Sequence, residues 1–225
     1  MIEKVSEFDD ALMHKFIEGR DPTIEEIKRA IRHATIAIKL TPVICGSSLK
    51  NKGVQQLLDA VVDYLPSPKD VPAIKGISAN DESEMERHAS EEEPLTCFAF
   101  KIASDKFVGS LTYLRIYSGV LSSSSYIYNP RSRRKERIGR LLLMHANKRE
   151  EIEEAGAGNI VAAVGLKDVR TGDTLCDENH PIVLEALFVP DPVIWMAVEP
   201  KTKADRDRMS DTLQRLVSED PTFRV

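Results

Sequence analysis

Hydrophobic residues in the first third of the chain recur at the spacing of helices. Residues 8–40 are predicted to be helical, and one apolar face is formed by Ile24, Ile27, Ala30, Ile31 and Ala34. Thr23 and Glu26 form a Thr-x-x-Glu capping box, which marks where this helix begins. A second helical face is formed by Val54, Leu57, Leu58, Val61, Val62 and Leu65, and the prolines that follow end it.

Between these helices lies one short β-branched segment. Residues 41–45 are apolar, so they are predicted to form a buried strand. Because a single strand cannot form a sheet, we expect its partners to be missing from this sequence. Residues 78–94 then carry many acids and almost no large apolar side chains, which predicts a solvated loop or linker.

Residues 95–189 have the pattern of a different architecture. Short runs rich in aromatic and β-branched residues are separated by turn residues at intervals of about ten. The runs are residues 95–103, 110–119, 125–129, 136–144, 159–165 and 182–189. Within residues 110–119, one face carries Leu111, Tyr113, Arg115 and Tyr117 and the other carries Thr112, Leu114 and Ile116. Strands at this spacing favour a closed β-barrel, because closure leaves no exposed edge.

The pattern changes again after Pro192. Residues 193–199 are predicted to be a strand, and Thr202 with Asp205 caps a helix. One face of this helix carries Met209, Leu213, Leu216 and Val217. A strand and a helix cannot bury their apolar faces alone, so we expect a domain that extends beyond them.

Composition excludes several classes of protein. The 225 residues carry a net charge of −5, which argues against binding to nucleic acid by overall charge but leaves a local basic patch open. No apolar run is long enough to span a bilayer, and the N-terminus lacks the apolar core of a signal peptide. Three cysteines without a Cys-x-x-Cys spacing favour a reduced, cytoplasmic protein.

Residues 46–53, GSSLKNKG, look like a phosphate-binding loop. That motif is Gly-x-x-x-x-Gly-Lys-[Ser/Thr], and Asn51 stands where its second glycine is required. A loop that leaves a buried strand at its carboxyl end still lies where open α/β sheets bind ligands, and its N–H groups can donate to a purine carbonyl. The residues alone leave this role open against an ordinary turn.

A run of basic residues lies within the predicted β-domain of this acidic chain. Its members are Arg131, Arg133, Arg134, Lys135 and Arg137. Such clusters bind RNA phosphates favourably, because binding releases counterions. A solvated hairpin explains the same residues equally well. We expect no catalytic residue and no metal, since Cys176 and His180 offer too few ligands for zinc and no nucleophile–base–acid set is found.

Several long segments of the chain match one protein family. They read GSSLKNKGVQ (residues 46–55), LLDAVVDYLPSP, SLTYLRIYSGVL, ERIGRLLLMHANKREEI, AAVGLKDVRTGDTLCD, AVEPKTKADRDRM and LQRLVSEDPTFRV. Together they resemble bacterial translation elongation factor G, whose GTPase domain ends in Gly-Ser-Ala-x-Lys-Asn-Lys-Gly-Val-Gln. Ser48 replaces the alanine of that motif, and the resemblance extends over nearly the whole chain.

The resemblance implies three pieces. Residues 1–72 would be the C-terminal part of the GTPase domain, residues 73–190 a β-barrel second domain with an acidic loop at 78–94, and residues 191–225 the truncated start of a third domain. The implied fold is mainly β with flanking α/β pieces. A strand–loop–helix of a P-loop GTPase domain would precede the closed translation-factor barrel, and a partial ferredoxin-like βα unit would follow it.

The resemblance also implies nucleotide chemistry in the parent protein, a GTPase that drives translocation on the ribosome. The family's Gly-Ser-Ala loop touches the guanine base through backbone N–H groups, a role that falls here on Ser47, Ser48 and Leu49. GTP or GDP and Mg²⁺ are implied for the parent. The family's phosphate loop, switches, Mg²⁺ ligands and Asn-Lys-x-Asp motif are missing from this sequence. We therefore expect the fragment alone neither to bind GTP well nor to hydrolyse it.

Partners are implied in the same way. The family's second domain docks on the small ribosomal subunit and touches its RNA, which favours RNA contact by the basic run. The remainder of the GTPase domain and of the third domain are further implied partners, whereas a membrane and DNA are not. The alternative is a stand-alone, non-enzymatic RNA- or ribosome-binding β-barrel. A related translational GTPase of the release-factor or ribosome-protection type also stays open.

Overall fold

The computed structural model of the chain describes residues 1–105, 108–146, 148–185 and 189–225. The chain divides into two units, Met1–Val71 and Pro72–Val225. The finer division into three domain pieces stays a prediction.

The first unit is built from helices. They are α1 (Ile2–Ser6), α2 (Asp10–Ile17), α3 (Ile24–Ile36) and α4 (Val54–Tyr64). A small core is formed by buried Val5, Leu12, Ala30 and Ile31, with Ile27, Leu40 and Tyr64 packed against it. The helical pattern predicted within residues 8–40 is confirmed by α2 and α3.

Helix α3 begins at the predicted capping box. Thr23 Oγ1 accepts a hydrogen bond from the Glu26 N–H at 3.3 Å, and Glu26 Oε2 accepts one from the Thr23 N–H at 2.9 Å. Glu26 Oε1 also accepts a hydrogen bond from Lys15 Nζ of α2 at 2.6 Å. The bond from Lys15, followed by that from the Thr23 N–H, lowers the pKa of Glu26 from 4.5 to about 2. The cap therefore links α2 to α3 while it satisfies donors at the start of α3.

The predicted buried strand at residues 41–45 does not form. These residues have no regular secondary structure and pair with none of the described strands, and the Val43 side chain is 92% exposed. A β-branched run becomes a strand only when its backbone N–H and C=O groups find a partner ladder. The described residues of this unit provide none, so the prediction is wrong here.

Helix α4 forms as predicted, but its apolar face is open. The exposed side chains are Leu57, Leu58, Val61, Val62 and Leu65. The helix ends at Tyr64, before Pro66. Its hydrophobic pattern therefore identifies a helix without identifying what covers it.

The second unit consists of antiparallel strands followed by one helix. The strands are β1 (Ile74–Ser78), β2 (Glu84–Arg87), β3 (Thr96–Asp105), β4 (Gly109–Ser118), β5 (Val120–Ser122), β6 (Tyr126–Asn129), β7 (Arg134–Arg137), β8 (Arg140–His145), β9 (Lys148–Ile152), β10 (Glu154–Gly156), β11 (Ile160–Val164), β12 (Thr174–Cys176) and β13 (Ile182–Leu184). The helix is α5 (Lys203–Glu219). Eight strands form one sheet in the order β7-β6-β12-β3-β4-β11-β8-β9, beside a three-stranded sheet β13-β1-β2 and a pair β10-β5.

The eight-stranded sheet curves strongly. β7 is its first strand and β8 its seventh, yet only Ile138 and Gly139 separate Arg137 from Arg140. In a flat sheet, six strand spacings would set β7 and β8 about 29 Å apart, whereas three residues of chain reach about 11 Å. The Ile138 N–H still bonds to the residue before β6, at 2.9 Å, and the next N–H, of Gly139, bonds to Val164 O of β11 at 2.8 Å. The sheet therefore wraps around until β7 approaches β8.

The core of this unit lies inside the curved sheet. Its fully buried large side chains include Leu114, Ile116, Leu121, Ile138, Leu141 and Leu175. The alternation predicted for residues 110–119 is confirmed in β4, where Thr112, Leu114 and Ile116 are buried and the alternate residues Tyr113, Arg115 and Tyr117 are half-buried. Leu111 is buried as well, in a smaller cluster with Leu142 and Ala162.

The predicted acidic loop at residues 78–94 contains strand β2, so that prediction is wrong for residues 84–87. Met85 packs against the cluster that contains the buried β13 side chains. Arg87 is buried and donates hydrogen bonds to the backbone oxygens of Glu86 at 3.2 Å and His180 at 3.3 Å. Composition was misleading here, because a strand with one solvated face needs only every second residue to face the core. In β2 these residues are Met85 and Arg87, and the apolar stem of an arginine can fill such a position.

The C-terminal segment is confirmed in part. Helix α5 begins at the predicted cap, where the Asp205 N–H donates to Thr202 Oγ1 at 3.2 Å. The predicted strand at residues 193–199 does not form, because none of the described strands pairs with it, and Trp195 is 76% exposed. In the run predicted as a strand at 182–189, residues 182–184 form β13, and residues 186–188 lie outside the described residues.

Candidate functional site

The loop predicted to touch a nucleotide base is a tight turn before α4. Ser47 and Lys52 exchange two backbone hydrogen bonds of 2.9 Å, and the Asn51 N–H donates to Ser48 O at 3.1 Å. The Lys50 N–H donates to Ser47 Oγ at 3.3 Å. These bonds fix residues 47–52 in one compact conformation and leave the top of the turn exposed.

Glycine is required at the base of this turn. Gly53 has a left-handed φ of 75°. A Cβ at Gly46 would lie 2.9 Å from Lys52 O, and a Cβ at Gly53 would lie 3.3 Å from the Cα of Gly46. The two glycines therefore allow the chain entering the turn to pass close to the chain leaving it.

Two of the three predicted N–H donors point to no acceptor. The Ser47 N–H is used by Lys52 O, whereas those of Ser48 and Leu49 donate to no backbone or side-chain acceptor in the described part of the chain. The Leu49 side chain is 95% exposed, so these donors are open to solvent. The turn can thus offer two adjacent N–H groups to a carbonyl oxygen.

The five predicted basic residues lie on the hairpin of β6 and β7. The strands pair in the register Tyr126↔Arg137, Tyr128↔Lys135 and Asn129↔Arg134. Arg133 has a left-handed φ of 54° in the turn between the strands. We call residues 126–137 the basic hairpin.

A polar cluster with a buried centre supports the basic hairpin. We call it the Asn129 cluster; it consists of Asn129, Arg131, Asp168 and Asp173. Asn129 is fully buried, and its Nδ2 donates to Asp173 Oδ2 at 3.0 Å and to Asp168 O at 3.2 Å. Its Oδ1 accepts from the N–H groups of Arg131 at 3.0 Å and Ser132 at 3.4 Å. The side chain of one inward-facing asparagine thus joins the hairpin turn to residues 168–173.

Arg131 is engaged inside this cluster. Its Nε donates to Asp173 Oδ1 at 2.7 Å, and its Nη2 donates to Asp168 O at 2.9 Å. The hydrogen bond to Asp173 raises the pKa of Arg131 above its ordinary value. An RNA phosphate at Arg131 would therefore have to compete with two carboxylates of the protein itself.

The other four basic residues are more accessible. Lys135 Nζ lies 2.6 Å from Glu178 Oε2 in a half-exposed pair, and such pairs contribute little energy and open readily. Arg133, Arg134 and Arg137 are exposed, and none forms an ion pair with any residue the structure describes. The hairpin therefore presents three free guanidinium groups on a rigid support.

Glu136 supports the hairpin from its inner face. It is buried, and its carboxylate accepts hydrogen bonds from the N–H groups of Lys167 at 3.0 Å and Asp168 at 3.3 Å. Sequence reasoning missed Asn129, Glu136 and Asp173 as supporting residues. Asn129 had a detectable signal, because it occupies an inward position of an alternating strand where an apolar residue is the rule.

The described residues show no arrangement suited to metal binding. No three of their His, Cys, Asp or Glu side chains converge on a common point. Desolvation raises the pKa of the buried Cys176 thiol to about 11, while His180 Nδ1 faces Asp177 Oδ1 at 3.1 Å. Across residues 1–105, 108–146, 148–185 and 189–225, none of the helices has the length and apolar character needed to span a membrane.

Comparisons with known proteins match the second unit in two places. The family model of elongation factor Tu domain 2 matches residues 109–176, from the start of β4 to the end of β12. The family model of elongation factor G domain III matches residues 189–225, which include α5. A crystal structure of a protein from Thermus thermophilus superposes with a TM-score of 0.74 at 27% identity, over 98% of this chain and 31% of that one. The chain therefore spans about a third of the length of that protein.

Proposed function

We propose that the chain is part of an elongation factor G-like translational GTPase, a GTP-dependent ribosomal translocase of the cytoplasm. The order of two family matches carries the proposal: elongation factor Tu domain 2 at residues 109–176 is followed by elongation factor G domain III at residues 189–225. The second match separates the elongation factor G type from factors that share only the barrel.

The proposed architecture has three pieces with the boundaries 1–72, 73–190 and 191–225. In it, the curved sheet of the second piece is a closed barrel. Support comes from the two-residue connection between β7 and β8 and from the single core that the curved sheet encloses. The exposed, unpaired residues 41–45 and 193–199 would pair with strands of the remaining GTPase and third domains.

The turn at residues 47–52 would be the fifth guanine-binding motif of the parent protein. The free N–H groups of Ser48 and Leu49 fit a guanine carbonyl oxygen, while Ser47 would shape the turn through its bonds to Lys52 and Lys50. GTP or GDP and Mg²⁺ would be bound mainly by other parts of the parent. The fragment alone would neither hold nucleotide tightly nor hydrolyse it, because phosphoryl transfer depends on a phosphate loop and metal ligands.

The basic hairpin would contact RNA of the small ribosomal subunit. Its free guanidinium groups at Arg133, Arg134 and Arg137 suit phosphates, and Lys135 could join them by leaving its exposed partner. Arg131 would hold the turn in place. The stand-alone RNA-binding barrel remains the second candidate, favoured by these same free arginines; the open apolar face of α4 argues against it.

Co-sedimentation of the chain with small ribosomal subunits across a potassium chloride series tests the RNA contact. We expect binding that weakens steeply with salt, and a combined Arg133→Ala, Arg134→Ala and Arg137→Ala variant whose log–log salt slope is shallower by about 2 to 3. The matched control removes three exposed arginines on helices, Arg29→Ala, Arg206→Ala and Arg208→Ala, for the same change in net charge. Equal losses in both variants would mean that overall charge, and not the hairpin, is responsible.

Titration with a fluorescent GTP analogue tests the nucleotide part. We expect no saturable binding at sub-micromolar concentration and no phosphate release above the buffer rate. Tight binding by this chain would contradict the proposal that the nucleotide site is completed elsewhere in the parent. Subunit binding that exceeds the affinity expected of a transient factor would favour the stand-alone barrel.

A further inference from the structure

Tyr126 is an exposed aromatic residue within a strand. Its residue surface is 65% exposed, although it lies within β6 and not in a loop. The ring makes no contact with another ring or with a cation among the described residues. A single exposed aromatic residue is common on protein surfaces, so its surroundings decide whether it has a role.

The residue opposite Tyr126 is Arg137. Directly opposed residues of an antiparallel pair project from the same face, with Cβ atoms about 5 Å apart. Arg137 is exposed and belongs to the three guanidinium groups without an ion-pair partner in the described chain. An open aromatic face and a free cation therefore stand side by side.

The other outward positions of the hairpin have partners within the protein. Tyr128 packs against the cluster formed with β13, and Lys135 pairs with Glu178. Tyr126 and Arg137 are thus the outward pair that the fold leaves unused. This asymmetry along one hairpin face is what distinguishes the pair from a scattered surface residue.

The support beneath this pair is rigid. The inward neighbours Ile127 and Glu136 are both buried, and Glu136 is held by two backbone N–H groups. The ladder extends past the pair through the bond from the Ile138 N–H to Ser125 O, at 2.9 Å. A side chain on a rigid strand loses little conformational freedom when a ligand stacks on it, which favours binding.

We propose that Tyr126 stacks on an unpaired base of RNA while Arg137 binds the adjoining phosphate. The proposal rests on the RNA contact inferred for the basic hairpin and specifies its ligand as RNA with an accessible base. An aromatic ring next to a cation is the arrangement with which proteins bind single-stranded nucleic acid, since every base has a π face and every linkage a charge. A duplex offers its phosphates to the arginines but hides its bases from Tyr126.

Fluorescence anisotropy with a labelled single-stranded oligouridylate, and with a blunt RNA duplex of the same charge, tests this. Tyr126→Leu keeps apolar bulk but removes the ring, and we expect it to weaken oligouridylate binding about 5- to 150-fold with an unchanged salt slope. Tyr126→Phe should bind like the unaltered chain. Arg137→Ala should instead reduce the salt slope by about 0.7. Phe16→Leu, at an exposed ring in the first unit, is the matched control and should change nothing.

Each outcome decides a different question. If the oligouridylate binds and Tyr126→Leu binds it equally well, the stacking role is wrong and the RNA contact of the hairpin stands. An equal loss on oligouridylate and duplex also overturns stacking on a base. Failure to bind oligouridylate while subunits are bound overturns the single-strand specificity. Failure to bind either overturns the proposed function itself. Circular dichroism of Tyr126→Leu that matches the unaltered chain excludes misfolding, and normal binding by Tyr126→Phe excludes a role for the hydroxyl.

Discussion

Asn129→Ala should destabilise the second unit by about 3 kcal/mol, because one fully buried amide supplies four hydrogen bonds to the hairpin support. Its partners are Asp168, Asp173, Arg131 and Ser132. Four bonds at about 0.5 to 1.5 kcal/mol each give a range of about 2 to 6 kcal/mol. The lower half of the range applies, because the backbone groups of Arg131 and Ser132 lie near the surface and can bond to water.

Urea unfolding followed by far-UV circular dichroism measures this loss. Tryptophan fluorescence is unsuitable, because the single Trp195 lies in an exposed segment without secondary structure. The matched control is Asn159→Ala, which removes an exposed amide with one hydrogen bond to Gly156 O at 3.0 Å. We expect this control to lose no more than about 1 kcal/mol.

Asn129→Asp separates electrostatics from packing. The new carboxylate keeps an acceptor for the Arg131 and Ser132 N–H groups but places an oxygen where Nδ2 now lies 3.0 Å from Asp173 Oδ2. Two carboxylates at that distance repel, which raises the pKa of the pair in the folded state. The variant should therefore be least stable at neutral pH and approach the unaltered chain as the pH falls and one proton is taken up. A stability loss below about 1 kcal/mol for Asn129→Ala, or no pH dependence for Asn129→Asp, would refute the role assigned to the cluster.

Three further predictions concern positions distant from this cluster. The folded state lowers the pKa of Glu26 from 4.5 to about 2, so its stabilisation is present above pH 4.5 and is lost as the pH falls toward 2. Glu26→Gln should therefore flatten that part of the acid-unfolding curve. An unchanged curve would contradict the role of Glu26 in the cap. Gly119→Ala should lower the free energy of unfolding in urea by at least about 2 kcal/mol more than Gly172→Ala. Both glycines have positive φ, but only at Gly119 would a Cβ meet the backbone, 2.6 Å from the Cα of Leu95. Equal losses would contradict this clash. A thiol reagent should modify the exposed Cys45 at once in the folded chain and reach the buried Cys97 only after unfolding. Burial also raises the pKa of the Cys97 thiol by desolvation, which suppresses the reactive thiolate. Equal modification rates measured by mass spectrometry would contradict this prediction.

Local sequence signals predicted those elements whose stabilising contacts are close in sequence. The capping box at Thr23 and Glu26, the cap at Thr202 and the alternation along β4 each involve neighbours within a few residues, and each is found in the structure. The strands predicted at residues 41–45 and 193–199 failed because a strand exists only when another strand pairs with it, and none of the described strands pairs with these residues.

In the candidate site, too, the sequence predicted some properties and the fold decided others. Sequence placed the basic run and the turn at Ser47–Leu49 from residue type alone, and the role of both in binding stays a proposal. Which arginines are free could not be read from the run, because Arg131 and Arg133 are chemically alike. Their difference comes from Asp168 and Asp173, which the fold brings to one of them and not to the other.

By itself, the sequence determined helices α2 to α5, the longer strands such as β3, β4 and β8, and the resemblance to elongation factor G, because periodicity, caps and motifs are carried by neighbouring residues. Only the tertiary structure decided which N–H groups of the turn remain open, which cations of the hairpin are engaged and that Tyr126 stands beside Arg137. Those properties depend on the conformation of the turn, on the register of the hairpin strands and on the approach of Asp168 and Asp173 to Arg131, and these arrangements come into existence only when the chain folds.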